Sequence, residues 1–138
     1  MGYYSEAVLV FTAKGTETMR SMIDEQQLGM ALRTRNFLEE ANMHSIDSKS
    51  RAEFFHWDSV KWYQMFEEIA CINSVMEELD DEDFLFIRIG EDFEDIEIQG
   101  RYWDNPFNLD VVRTVEFSLP ITEETTERTT ETEIENAI

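Results

Sequence analysis

The first forty residues alternate a short apolar run with amphipathic segments. The run Glu6-Ala-Val-Leu-Val-Phe-Thr12 is rich in β-branched and aromatic residues and is too short for a stand-alone helix, which is typical of a buried strand. Thr16 then offers a hydroxyl N-cap to an amphipathic helix that is interrupted or ends near Gly29. The apolar positions of that helix are Met19, Met22, Ile23 and Met30, and a second helical piece is expected over 31–42.

The middle of the chain carries the strongest helical pattern. Residues 43–52 are polar and lack periodicity, so we expect a loop before a short aromatic strand, Glu53-Phe-Phe-His-Trp57. Asp58 or Ser59 is the expected cap of a helix that runs to about Leu79. Its apolar stripe at three- and four-residue intervals, which we expect to be buried, consists of Trp62, Phe66, Ile69, Ile72 or Asn73, and Met76.

Three further strands are predicted after Asp80-Asp-Glu-Asp83 breaks the helix: 84–90, 96–99 and 111–119, the last stopped by Pro120. This order of elements predicts an α+β fold, a mainly antiparallel sheet with two or three helices packed on one face. The strand order stays open. Residues 1–120 are expected to form one domain. Residues 121–138, rich in Thr and Glu, are expected to form an acidic tail that is too poor in apolar residues to fold alone.

Composition is typical of one folded domain inside the cell. With 138 residues, 42% of them hydrophobic, the chain is long enough to enclose a core. Cys71 is the single cysteine, so no internal disulfide can form, and its apolar helical context favours a small buried thiol in a reducing compartment. Neither an export signal nor a run of about eighteen apolar residues is present, which favours a cytoplasmic location.

Net charge is the most unusual property of the chain. The formal value is −20, and residues 67–97 alone hold 13 acidic residues against one basic residue. This excess is larger than solubility requires of a small domain, for which a net charge of about 2–8 suffices. Such a surface repels nucleic acid and anionic lipid, so we expect neither to be bound directly, and the natural partner is a basic protein.

Part of the sequence resembles a known pattern. The stretches are Val60-Lys-Trp-Tyr63, Phe86-Ile-Arg-Ile-Gly-Glu-Asp92 and Asp95-Ile-Glu97, within about residues 54–117. They resemble a pattern found in small acidic proteins encoded by bacteriophages. The resemblance implies an origin in a phage-infected bacterial cytoplasm and a role in inhibiting host nucleic-acid-handling or defence proteins.

The residues give little support for catalysis or for a bound metal. The carboxylates do not have the spacing of an EF-hand, so solvated acidic loops are the preferred interpretation over a calcium site. With 31 acidic residues, pairs of carboxylates arise by chance and do not indicate acid–base chemistry. His44 and His56 have no Cys or His at ligand spacing, and no nucleophile or phosphate-binding motif is present. We therefore expect no catalytic residue, metal or cofactor.

The aromatic residues and the isolated Arg88 have structural explanations. Aromatic side chains can stack on bases, but such platforms come with a basic groove, so core packing or a protein interface is favoured here. The residues considered are Trp57, Trp62, Tyr63, Tyr102 and Trp103. Arg88, on a half-buried strand, is expected to pair with a nearby carboxylate. Tyr102 and Trp103 are the possible aromatic interface.

The leading hypothesis is therefore a non-enzymatic acidic protein that blocks a basic surface of a host nucleic-acid-binding or defence protein. Its carboxylates could imitate a polyphosphate backbone, because acids at alternate strand positions recur about every 6.8 Å. The expected partner-binding residues are Asp80, Asp81, Glu82, Asp83, Glu91, Asp92, Glu94, Asp95 and Glu97. The alternative is a structural or assembly module that forms a homo-oligomer through its tail, with acidity serving only solubility. A hydrolase or metal-dependent enzyme is the third class.

Overall fold

The computed structural model describes residues 2–112, which form three helices and five strands. The strands are β1 (Ser5–Phe11), β2 (Met43–Ile46), β3 (Glu53–Val60), β4 (Phe84–Ile89) and β5 (Ile96–Gly100), and the helices are α1 (Ala13–Asp24), α2 (Leu28–Glu39) and α3 (Glu67–Glu78). A 3₁₀ turn, Asp81–Asp83, leads into β4. The predicted α+β class is confirmed.

All five strands belong to one antiparallel sheet in the order β2-β3-β1-β4-β5. The strand closest to the N-terminus is therefore central, and its apolar residues are needed on both faces. Ala7, Leu9 and Phe11 point to the face that packs against the helices, while Val10, on the opposite face, is also fully buried. This explains why β1 reads as a continuous apolar run rather than an alternating one.

The two faces of the sheet are covered differently. On the helical side, Met19 and Ile23 of α1 and Ile69 of α3 belong to the same buried cluster as the strand residues. On the other side, the irregular segment after β5 crosses toward β3, where Phe107 stacks on Phe54 with ring centroids 4.9 Å apart. The helices thus lie on one face, as the order of elements predicted.

Helix α1 begins four residues earlier than the Thr16 cap predicted. Thr12 has extended backbone angles, and its Oγ1 accepts a hydrogen bond from the Gly15 N–H at 3.0 Å. The helix therefore starts directly after β1, without a loop, because Thr12 serves as both the end of the strand and the cap. The break near Gly29 lies slightly earlier, at 25–27, and Gly29 itself is inside α2.

The predicted loop over 43–52 was wrong in its first four residues, which form the edge strand β2. Met43, His44 and Ile46 are exposed, and only Ser45 is partly buried. An edge strand with little buried surface has no apolar alternation for a sequence pattern to detect. Its place is set by pairing with β3.

The third helix begins at Glu67, later than the predicted start at Asp58 or Ser59. β3 continues to Val60, which pairs with Ser5, so the two predicted cap residues lie in the strand. Phe66 is the cap residue of α3 and is only partly buried, so the prediction of its burial was too strong. The other apolar residues of the stripe, Ile69, Ile72 and Met76, are buried on α3 as predicted, and so is Cys71.

Trp62 is buried although it lies outside the helix. It follows β3 in an irregular segment and contacts Trp57, Phe37 and Phe86, with ring centroids 5.0–5.7 Å apart. Trp57 also stacks on Phe37 at 4.9 Å. Both tryptophans are therefore core residues, which confirms that interpretation over base stacking.

The predicted strand 111–119 and the tail 121–138 lie outside the described residues, apart from the irregular Val111 and Val112.

Candidate functional site

The acidic residues around β4 form two groups at opposite ends of the strand. One group follows α3 and includes the run 80–83, and the other lies in the hairpin between β4 and β5. β4 has six residues, which at about 3.4 Å each places the groups roughly 20 Å apart. The fold therefore divides the predicted acidic surface into two regions.

The first group, the α3-end patch, consists of exposed carboxylates. Its members are Glu77, Glu78, Asp80, Asp81 and Glu82. The carbonyl groups at a helix C-terminus carry partial negative charge, and α3 has no basic residue in its last turn. Lys14 Nζ lies 3.8 Å from Asp80, and Arg101 Nε lies 3.8 Å from Asp81, but both pairs are exposed and offset little of the charge. Negative charge is thus concentrated at the C-terminal end of the helix, where acidic side chains are unfavourable.

Asp83 does not belong to this exposed patch. Its side chain is 16% exposed, and its carboxylate accepts a hydrogen bond from Thr12 Oγ1 at 3.0 Å. Its backbone carbonyl accepts another from the Thr12 N–H at 3.0 Å. The interpretation of these carboxylates as solvated acidic loops is therefore wrong at Asp83, which joins the start of α1 to the start of β4.

Two acidic residues of the hairpin hold Arg88 instead of facing a partner. Arg88 Nη2 and Nη1 donate to the two carboxylate oxygens of Asp95 at 2.8 and 3.1 Å, and Nε donates to Glu97 at 2.9 Å. Nη1 also donates to Ser5 Oγ at 3.0 Å. These carboxylates raise the pKa of Arg88, Asp95 most strongly. The predicted ion pair of Arg88 is confirmed, and Asp95 and Glu97 do not form a free row of phosphate-like charges.

The N-terminal residues close over this ion pair. Tyr3 donates its hydroxyl proton to Asp95 at 2.6 Å and accepts a hydrogen bond from the Asp92 N–H at 3.0 Å. The Asp92 N–H lowers the pKa of Tyr3, but the bond to Asp95, burial and the two carboxylate charges together raise it. The Tyr4 N–H donates to Glu91 at 2.6 Å. Of the predicted hairpin residues, Glu91, Asp92 and Glu94 are exposed.

Tyr102 and Trp103 follow β5 in the irregular segment that crosses the sheet. Trp103 is 46% exposed, whereas Tyr102 is partly buried and its carbonyl accepts from Asn105 Nδ2 at 2.7 Å. Burial, together with the charges of Asp104 and Asp47, raises the pKa of Tyr102. Trp103 is therefore the more accessible half of the predicted aromatic pair.

Sequence reasoning missed one polar cluster, centred on Glu53 at the start of β3. Its side chain is 1% exposed because it shares the helix-facing side of β3 with Phe55 and Trp57. Arg20 Nη2 donates to both carboxylate oxygens, at 2.9 and 2.7 Å. His44 Nε2 bonds to the same carboxylate. The available signal was an acid alternating with buried aromatic residues, which requires a cationic partner.

A cavity of about 240 Å³ opens beside this cluster. Its lining residues are Arg20, Ile23, Asp24, Arg35, Leu38, Glu39, His44 and Phe55. The His44 ring is stacked on Phe55 with centroids 4.6 Å apart and planes inclined by 14°. Arg35 pairs with Asp24 across the gap between α2 and α1. Two arginines and a histidine are thus gathered at one place in a strongly acidic protein.

Within residues 2–112, no three His, Cys, Asp or Glu side chains are grouped so that they could hold a metal ion. No helix in that part of the chain is long and apolar enough to cross a membrane. The other histidine, His56, bonds through Nε2 to Glu6 at 2.8 Å.

The chain matches no protein-family model, no curated protein and no solved structure.

Proposed function

We propose that this chain is a non-enzymatic acidic protein that binds a basic surface of a nucleic-acid-binding or defence protein of a bacterial host and blocks it. The observation that supports the proposal is the α3-end patch, where exposed acids gather at the negative end of a helix without a basic residue in its last turn. This arrangement costs stability, and it produces a local field that attracts a basic partner.

The proposal assigns unequal roles to the acidic residues. Asp83, Asp95 and Glu97 hold other parts of the fold, so their neutralisation disturbs the fold as well as the charge. The exposed residues of the α3-end patch form the main binding surface, and Glu91, Asp92 and Glu94 add a second negative region about 20 Å away. The partner therefore needs two basic regions separated by a similar distance.

Association should depend on long-range attraction. Raising the ionic strength from 0.1 M to 1 M shortens the Debye length from about 10 Å to about 3 Å, so the association rate should fall strongly while dissociation changes less. If the surface imitates nucleic acid, duplex DNA or RNA should compete with this chain for the partner.

The test uses affinity capture from a bacterial lysate followed by kinetic measurement on the captured partner. The patch variant is Asp80→Asn, Asp81→Asn and Glu82→Gln. The matched control, with the same change in net charge at exposed positions elsewhere, is Glu25→Gln, Glu40→Gln and Asp104→Asn. We expect the patch variant to associate at least about tenfold more slowly and the control to behave nearly as the parent.

Three results would contradict the proposal. The first is a partner whose association is independent of salt. The second is equal slowing by the patch variant and the control, which would indicate a general effect of net charge. The third is simultaneous binding of nucleic acid and this chain, which would exclude mimicry and favour Trp103 as the centre of an aromatic interface.

A further inference from the structure

The cavity beside Glu53 has the size and walls of a site for a small flat molecule. Its volume of about 240 Å³ is below the roughly 300–1,000 Å³ typical of drug-sized ligands. Ile23 and Leu38 are almost fully buried and provide apolar walls from α1 and α2. The His44 ring, about half exposed and stacked on the buried Phe55, provides a planar surface from the neighbouring strands. A single aromatic or heterocyclic ring fits this combination of volume and shape.

The hydrogen-bond donors that the cavity offers a ligand are the guanidinium groups of Arg20 and Arg35. Among the described residues, Arg20 bonds to Glu53 through Nη2 alone, and Arg35 bonds to Asp24 through Nη2 alone. Nε and Nη1 of both guanidinium groups make no hydrogen bond within residues 2–112, and both side chains are about half exposed. Guanidinium groups match the planar oxygens of carboxylate and phosphate groups.

Glu53 positions two side chains that line the cavity. Its buried carboxylate fixes Arg20 from α1 and His44 from β2 against the start of β3. Because an ionised carboxylate only accepts hydrogen bonds, His44 donates to it through Nε2. Preorganised side chains lose less conformational freedom when a ligand binds. The carboxylates of Asp24 and Glu39 also line the cavity; Asp24 is paired with Arg35, and Glu39 is exposed.

We propose that this cavity binds a small planar molecule that carries one carboxylate or phosphate group. The anionic group is held by Arg20 and Arg35, and the ring lies against His44, Ile23 and Leu38. This binding site is separate from the α3-end patch and does not depend on the function proposed for that patch.

The test measures binding of four probes by amide chemical shifts in NMR spectra of the full chain. Benzoate and phenyl phosphate carry a ring and an anion, benzyl alcohol lacks the anion, and inorganic phosphate lacks the ring. We expect both ring anions to shift the amides of the lining residues, with benzyl alcohol and inorganic phosphate at least about tenfold weaker, because a charged hydrogen bond and a buried ring each contribute that much. The stronger of the two ring anions identifies the preferred acid group.

Arg35→Gln and Arg35→Lys test the donor role, and Arg33→Gln is the matched control. Arg33 lies on the same helix but pairs with Glu67, away from the cavity. We expect Arg35→Gln to weaken binding of the better probe at least about tenfold, Arg35→Lys to recover only part of it, and the control to change it little. Circular dichroism checks that each variant is folded, and Arg35→Lys retains the ion pair with Asp24 should Arg35→Gln unfold.

Several outcomes would overturn the proposal. One is the absence of shifts at the lining residues with either ring anion at about 10 mM. At that concentration, even binding with a dissociation constant of about 1 mM would nearly saturate the cavity. Equal binding of benzyl alcohol would show an apolar cavity that does not recognise anions. Equal weakening by Arg33→Gln and Arg35→Gln would show that overall charge, rather than the cavity's donors, controls binding.

Discussion

Gly90 follows β4 beneath the side chains of Tyr3 and Asp95. A methyl group on its Cα would overlap Asp95 Oδ2 and the Tyr3 hydroxyl, which are the two atoms that join the N-terminus to the Arg88 ion pair. Gly29 is the opposite case, because a methyl group there meets nothing within 4 Å on the exposed surface of α2. A close approach of neighbouring side chains therefore requires glycine at position 90, and no such contact requires it at position 29.

Alanine at these two positions should have opposite effects on stability. Gly90→Ala should cost about 1–3 kcal/mol, because Asp95 and Tyr3 must move and the ion pair with Arg88 weakens. Gly29→Ala should stabilise by about 0.5–1 kcal/mol, because alanine reduces the freedom of the unfolded chain and adds no clash. Urea denaturation of both variants measures the free energies. A destabilised Gly29→Ala would contradict this account.

Neutralising neighbouring acidic residues of the β4–β5 hairpin should also have different effects on stability. Asp95→Asn removes the charged partner of Arg88 and should cost about 1–2 kcal/mol, since both side chains are mostly buried. Glu94→Gln, at an exposed position with the same change in charge, should stay within about 0.5 kcal/mol of the parent. Thermal and urea unfolding at pH 7 compare the two. Equal effects would mean that overall charge, and not the ion pair, determines the outcome.

At the scale of elements, the sequence predicts best where apolar residues follow one period. β1, β4 and β5 lie within one residue of their predicted bounds. β1 and β4 each contain a continuous apolar run, and isoleucines alternate with polar residues in β5. The errors occur where pairing with a distant strand determines the bounds of an element. β2 has almost no buried face, and β3 extends through Asp58 and Ser59 because Val60 pairs with Ser5.

The candidate sites were less predictable than the fold. The position of Arg88 beside Asp95 follows from the β4–β5 hairpin, so a local pattern was enough to predict an ion pair. The cluster of Arg20, His44 and Glu53 combines three elements. Arg20 and Glu53 are 33 positions apart, and only the packing of α1 on β3 brings them together. Spacing along the chain carries no signal for such a cluster.

The start of α1 gives a test of element-level prediction. Thr12→Ala should cost about 1 kcal/mol or more, because it removes the cap bond to Gly15 and the bond to Asp83. Thr16→Val should cost little, because among the described residues the buried Thr16 hydroxyl has no hydrogen-bond partner. The two variants are compared by urea denaturation. The reverse ranking would restore Thr16 as the helix cap.

At the scale of the whole molecule, charge is the dominant property. A formal charge of −20 favours expansion of the folded chain through self-repulsion, so the free energy of unfolding should rise with ionic strength until the charges are screened. The ion pairs among the described residues are mostly exposed, apart from those of Glu53 and Arg88. Stability therefore rests mainly on the core, and the acidic surface opposes it.

Substitutions in helix α3 distinguish the effect of overall charge on stability from the effect of the position of a charge along the helix. Glu77 and Glu78 lie at its C-terminal end, where acids are unfavourable, and Glu67 and Glu68 lie in its first turn, where acids are favourable. Glu77→Gln with Glu78→Gln should stabilise by about 0.5–1.5 kcal/mol at low salt. Glu67→Gln with Glu68→Gln should destabilise by a similar amount, helped by loss of the pair with Arg33.

Both differences should shrink in 1 M salt, where screening acts within about 3 Å. Unfolding by urea at two salt concentrations measures them. If both double variants were stabilised equally, self-repulsion of the whole molecule would outweigh the helix dipole, and the α3-end patch would lose its special electrostatic character. If the first variant is stabilised and also binds the captured partner more slowly, then these carboxylates oppose folding and favour association. That combination is what a surface built for a basic partner requires, and it is absent from a surface that serves solubility alone.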